Sequence, residues 1–151
     1  MKMTHLDDSG KARMVDISLK PNSQRRAIAG GKIILAPATL ELLQENRLQK
    51  GDALAVARVA AIQAGKKTAE LIPLCHPLAI QQLDVQFHIV ADGVEIVATA
   101  VCEGRTGVEM EALTAVSVAA LTLYDMCKAV DKNMIIGAIA LLEKSKDEIH
   151  G

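Results

Sequence analysis

The sequence predicts one α+β domain with the β-α-β-β-α-β order of ferredoxin-like folds. That means an antiparallel sheet, helices on one face and an extra helix in the first crossover. Three observations lead there. The 151 residues are 50% hydrophobic, enough for one core and too few for two ordinary domains. Residues 82–90 alternate cleanly and run into the hairpin signal Asp92-Gly93. Residues 108–130 form the longest stretch that reads as helix, apolar on nearly every side.

The elements follow in order. Residues 1–23 are polar, hold no sustained period and read as a mobile arm, within which Met14 to Ile17 can pair as a short strand. Arg25 to Leu35 reads as a strand broken at Gly30-Gly31. Pro37 opens a helix through Arg47, with Leu40 and Leu43 on one face. Asp52 caps a second helix, Ala53 to Ala64, which Gly65 ends, and Thr68 caps a last turn into Ile72. Gln82 to Val90 places Leu83, Val85, Phe87 and Ile89 on one face of a strand, with Asp84, Gln86 and His88 on the other. Val94 to Cys102 returns, Val108 to Val130 is the long helix, and Met134 to Leu142 is a final buried strand. The domain proper is taken as residues 24–144, with 145–151 a charged, fraying tail. Apolar faces exceed what so small a chain can cover, which predicts an oligomer.

Composition excludes several function classes. The formal net charge is −1, giving no general attraction to nucleic acid or anionic membranes. Phe87 and Tyr124 are the only aromatics, too few to stack single-stranded bases. Cys75, Cys102 and Cys127 form no CxxC pair, and the amino terminus lacks an apolar stretch of signal-peptide length. A reduced, cytoplasmic protein is expected.

The segment Leu71 to Leu78 sets His76 between Cys75 and Pro77, with Pro73 upstream. Two prolines limit the backbone on both sides and suggest an aimed imidazole. The plain alternative is a loop histidine bonded to backbone. Zinc needs ligands that the other cysteines and histidines do not supply at suitable spacing, so no metal is expected. Glu109 and Glu111 open the long helix, where carboxylates also serve the helix dipole. Asp125 and Lys128 share a face near its other end. On a helix taken as buried, such a pair is costly unless it works, and its lysine can act as an acid or base. Lys50 beside Gly51, at a helix start, is a candidate phosphate contact, as is Arg25. Each alone reads first as a solvated surface charge. Glu111 and Asp125 stand about 21 Å apart on one straight helix. One small-molecule site reaches both only if a second subunit supplies one end.

The segments Lys50-Gly-Asp52, Ile72-Pro-Leu-Cys-His-Pro77, Thr106 to Ala115 and Leu123-Tyr-Asp-Met-Cys-Lys-Ala129 resemble the MoaC family of cyclic pyranopterin monophosphate synthases. Met14 to Ser18 and the Arg58 helix also fit, so the likeness runs from about residue 14 onward. Ala61 and Gly65 stand where the family pattern has Gly and Ala. The resemblance implies conversion of 3′,8-cyclo-7,8-dihydroguanosine 5′-triphosphate, made from GTP by a radical enzyme, with release of pyrophosphate. It implies a ferredoxin-like homohexamer, a trimer of dimers, with active sites at the dimer interface and no cofactor. It places catalysis on Asp125, Lys128 and Lys50. Substrate contacts fall on Leu74, Cys75, His76, Glu109, Met110 and Glu111, with Arg25 meeting the triphosphate. The competing reading is a non-catalytic, ferredoxin-like nucleotide-sensing module.

Overall fold

The computed structural model describes residues 3–149. The elements are β1 (Ser23–Ile34), α1 (Pro37–Gln44), α2 (Ala53–Lys66), α3 (Thr68–Leu71), β2 (Ile80–Val90), β3 (Gly93–Gly104), α4 (Glu109–Cys127) and β4 (Ile135–Glu148). The four strands form one sheet in the order β2-β3-β1-β4, with every neighbouring pair antiparallel. This is the ferredoxin-like arrangement, with α1 and α3 added to the first crossover.

The inner face of the sheet is built by alternation. Ala27, Ala29 and Ile33 of β1 and Val94, Ile96, Ala98, Ala100 and Cys102 of β3 are all buried, as the two-residue strand period requires. α4 lies over them and α2 packs against α4. Their meeting surfaces are small: Ala57 and Ala61 on α2, Ala112, Ala115 and Ala119 on α4, all fully buried. Length and composition would let α4 cross a membrane; here it is the central core helix.

Helix ends are fixed by identifiable groups. Asp52 Oδ1 accepts the Ala55 N–H at 3.1 Å and caps α2. α1 has no cap from its own N-cap residue, Ala36. Asp131, buried beyond the end of α4, does that work from a distance. Its Oδ2 accepts the Ala36 N–H at 2.8 Å and the Thr39 hydroxyl at 2.9 Å. Burial pushes the Asp131 carboxyl up, but the hydrogen bonds from Ala36, Thr39 and Asn133 outweigh it and hold it below the usual range.

Several expectations need correction. β1 is not broken at Gly30-Gly31. Opposite Gly31 the partner strand bulges, with Ala138 at φ 53°. A Cβ on Gly31 would meet Val116 Cγ1 at 2.8 Å and Ile139 Cγ1 at 3.0 Å. The glycine therefore gives α4 and the bulge their close approach. α1 stops at Gln44 rather than Arg47 because Asn46 turns to φ 53°, a left-handed conformation that ends a helix. Gly65 lies inside α2, against Leu83 and the Glu111 carbonyl. β4 is not buried: it is an edge strand, with Leu142 62% exposed and Ile135 59% exposed. It runs to Glu148, so the sheet takes in much of the segment placed in the tail. Met14 to Ile17 form no strand; the arm instead folds a small hairpin with a bridge between Leu6 and Ala12. His150 lies outside the described residues.

Candidate active site

α4 has titratable side chains at both ends. At its amino-terminal end a cleft of about 310 Å³ is lined by Leu74, Cys75 and His76 from one loop and Thr106, Gly107, Glu109 and Met110 from another. The first loop is a tight turn, with Cys75 N–H donating to Ile72 O at 3.1 Å and Pro73 at its second position. His76 Nε2 lies 2.6 Å from the carbonyl oxygen of Val15. A carbonyl only accepts, so Nε2 carries the proton and donates it. In the neutral ring Nδ1 is then the acceptor.

The first turn of α4 gives the carboxylates. A Cβ on Gly107 would overlap Glu109 Oε2, so the missing side chain lets the carboxylate fold back toward the cleft. Lys144 of β4 reaches Glu109 Oε1 at 3.4 Å. Glu111 is only 2% exposed. Burial, and then the charge of Glu109, push its carboxyl up to about 7, against a backbone hydrogen bond that lowers it. Among the described residues Glu109 Oε2 and Glu111 Oε2 accept no hydrogen bond. Burial chiefly, with the two glutamates, also raises the thiol of Cys75. Arg25 is buried at the start of β1, its Nε donating to Gly104 O at 3.4 Å just ahead of the second loop.

At the carboxyl-terminal end, Asp125 accepts from two lysines. Lys50 Nζ stands 2.9 Å from Oδ2 and Lys128 Nζ 3.0 Å from Oδ1. The Asp125 carboxyl is held below the usual range by the hydrogen bond from Lys50 first and that from Lys128 second. The expected burial of this pair is absent: the Asp125 side chain is 54% exposed and that of Lys128 59%. α4 is apolar around its middle, but one side of its last turns faces out, with Leu121, Tyr124 and Lys128 exposed while Leu123, Met126 and Cys127 stay buried.

One chain therefore assembles two clusters and keeps them apart. Leu74, Cys75, His76, Glu109 and Met110 line one cleft, with Glu111 and Arg25 buried near it. Lys50, Asp125 and Lys128 make the other cluster. Sequence reasoning missed Lys144, which pairs with Glu109, and His5. Lys144 sat next to the presumed tail, although Lys144 and Lys146 alternate as strand residues do. His5, which lines the cleft, sat in an arm read as featureless.

The MoaC family model matches residues 14–147. The chain belongs to the MoaC family. It is 58% identical over 146 residues to the cyclic pyranopterin monophosphate synthase of Parvibaculum lavamentivorans, covering 95% of this chain and 91% of the relative. It is 54% identical to that of Desulfitobacterium hafniense over 146 residues, 96% of this chain and 90% of the relative. It is also 54% identical over 145 residues to a molybdenum cofactor biosynthesis bifunctional protein of Chlorobaculum tepidum, covering 96% of this chain and 46% of that longer protein.

Proposed function

We propose that the chain is a cyclic pyranopterin monophosphate synthase, a lyase of molybdenum cofactor biosynthesis. It converts 3′,8-cyclo-7,8-dihydroguanosine 5′-triphosphate to cyclic pyranopterin monophosphate and releases pyrophosphate. The observation that carries this reading is the pair of clusters at opposite ends of α4, in a chain of this family. Closing a cyclic phosphate and expelling pyrophosphate needs cations on phosphate oxygens; Lys50, Lys128 and Arg25 supply them, and Lys144 adds another. Rearranging the ring system needs proton transfer at nitrogen and oxygen; Asp125, Lys128 and His76 supply it. Glu109 and Glu111 accept hydrogen bonds from the N–H edge of a guanine-like ring, while Leu74, Cys75 and Met110 pack around it.

α4 is about 27 Å long, so its two ends serve one substrate only across a subunit interface. The complete site takes the His76 end of one chain and the Asp125 end of another. The uncovered apolar residues support association, among them Leu142 and Ile135 of β4 and Val56 and Val59 of α2. A homohexamer built as a trimer of dimers, working in the cytoplasm beside the radical enzyme that makes its substrate, completes the reading.

The test is turnover of the cyclised nucleotide, followed as pyrophosphate release. Wild-type chain turns over; Lys128→Ala folds, binds the nucleotide and releases almost none. Lys128→Arg also fails if the lysine moves a proton, because a guanidinium does not give one up near neutral pH. Tight binding with no pyrophosphate release by the wild type would favour a nucleotide-sensing module instead.

A further inference from the structure

The amino-terminal arm touches the cleft at two separate points. His5 lines it directly, and Val15 O receives the His76 Nε2–H at 2.6 Å. The chain between these points is well bonded. Arg13 N–H donates to His5 O at 2.8 Å, and Asp7 N–H to Lys11 O at 2.9 Å. Leu6 pairs with Ala12 across the hairpin. Asp7 Oδ1 closes the turn by accepting from the N–H groups of Ser9 at 2.9 Å and Lys11 at 2.8 Å. Gly10, at φ 79°, takes the left-handed position of that turn. Further along, Arg105 Nη1 donates to Ser18 O at 3.2 Å and ties the arm to the loop that precedes Glu109. A stray tail would not combine a closed turn, a cross-strand bridge and two anchors to site loops.

We propose that the arm is a working wall of the active site, and that its His5 is a substrate-binding residue beside His76. The proposal rests on the function above, which supplies the ligand class: a phosphorylated guanine-type nucleotide. Two anchors, on His76 and on Arg105, hold the hairpin so that His5 faces the same space as His76 and Glu109. Val15 meanwhile fixes the His76 ring with Nε2–H outward to the arm, leaving Nδ1 as its acceptor. The cleft then presents one imidazole whose donor is already used and a second, from His5, whose ring has no hydrogen-bond partner among the described residues. That pairing suits a ligand with both a phosphate and a heterocyclic N–H edge. It also means that the arm places a ligand-binding group and orients another in one act.

The experiment uses the full chain with its histidine rings isotope-labelled and guanosine 5′-triphosphate as the probe. The His5 and His76 ring signals are expected to move together on one saturation curve while His88, on β2, stays in place. Before addition, His76 should show the Nε2–H form. His5→Ala is expected to weaken GTP about tenfold without moving the unfolding transition, since the residue is exposed. Gly10→Val, which strains the turn but keeps His5, should weaken GTP as well. Movement of His76 without His5, motionless signals at both rings, or unchanged affinity in His5→Ala would each overturn the proposal. The function itself is decided separately, by pyrophosphate release from the wild-type chain, so failure of one is distinguishable from failure of the other.

Discussion

Lys50 and Lys128 of the same chain grip opposite oxygens of Asp125, at 2.9 and 3.0 Å. The two lysines are 78 positions apart in sequence, yet they belong to one cluster. Mixing a Lys50→Ala chain with a Lys128→Ala chain therefore should not restore activity, because both lesions fall in the same half of the proposed site. Mixing His76→Ala with Lys128→Ala should restore it. Random pairing into two-fold dimers leaves one intact site in half of the dimers, so roughly a quarter of wild-type turnover returns. Rescue by the first mixture and none by the second, with subunit exchange demonstrated, would place the halves differently.

Asp125 owes its low-lying carboxyl first to Lys50. Lys50→Ala should let that carboxyl rise toward the ordinary aspartate range. If turnover needs the ionised form, its acid limb shifts to higher pH in the variant. Carbonyl carbon resonances of labelled aspartate, titrated in both proteins, read the shift directly. Matching titration curves would assign Lys50 no electrostatic role there.

Glu111 makes stability depend on pH in the opposite sense. Its folded carboxyl is raised from 4.5 to about 7, so the folded chain keeps a proton that the unfolded chain has lost. Stability falls as pH rises through that window and levels off above it, by roughly 3 kcal/mol. Glu111→Gln should flatten this slope and be the more stable protein at pH 8, while losing activity. Denaturant unfolding at pH 5 and pH 8 measures it; parallel profiles for the two proteins would contradict it.

Gly107 leaves the room in which the Glu109 carboxylate sits. Gly107→Ala should keep the fold but push that carboxylate aside, stretching its 3.4 Å pair with Lys144. Turnover should drop by one to two orders of magnitude, as small displacements of site groups do. Unchanged activity with the glutamate displaced would remove Glu109 from the site.

Local patterns made much of the fold legible. The alternation of β2 and the Asp92-Gly93 turn located the β2–β3 hairpin, and Asp52 located a helix start. β4 was misjudged because an apolar run looks alike whether it faces its own core or lies exposed at a sheet edge. Its charged extension to Glu148 carries no apolar period and pairs only because β1 offers a free edge. In the site, His76, Glu109 and Glu111 stood out through neighbours in sequence. The link from Lys50 to Asp125 spans 75 positions and leaves no local trace, nor does the contact of Val15 with His76. The cap that Asp131 provides for α1 is likewise a contact made only by the folded chain.

Tyr124 precedes Asp125 and is half-exposed on the same last turn of α4. With one tyrosine and no tryptophan in the chain, its ultraviolet emission arises beside the lysine–aspartate cluster. The chain thus carries a built-in optical probe at one end of its long helix. Events at the Asp125 end can be followed without a dye, and those at the His76 end stay dark.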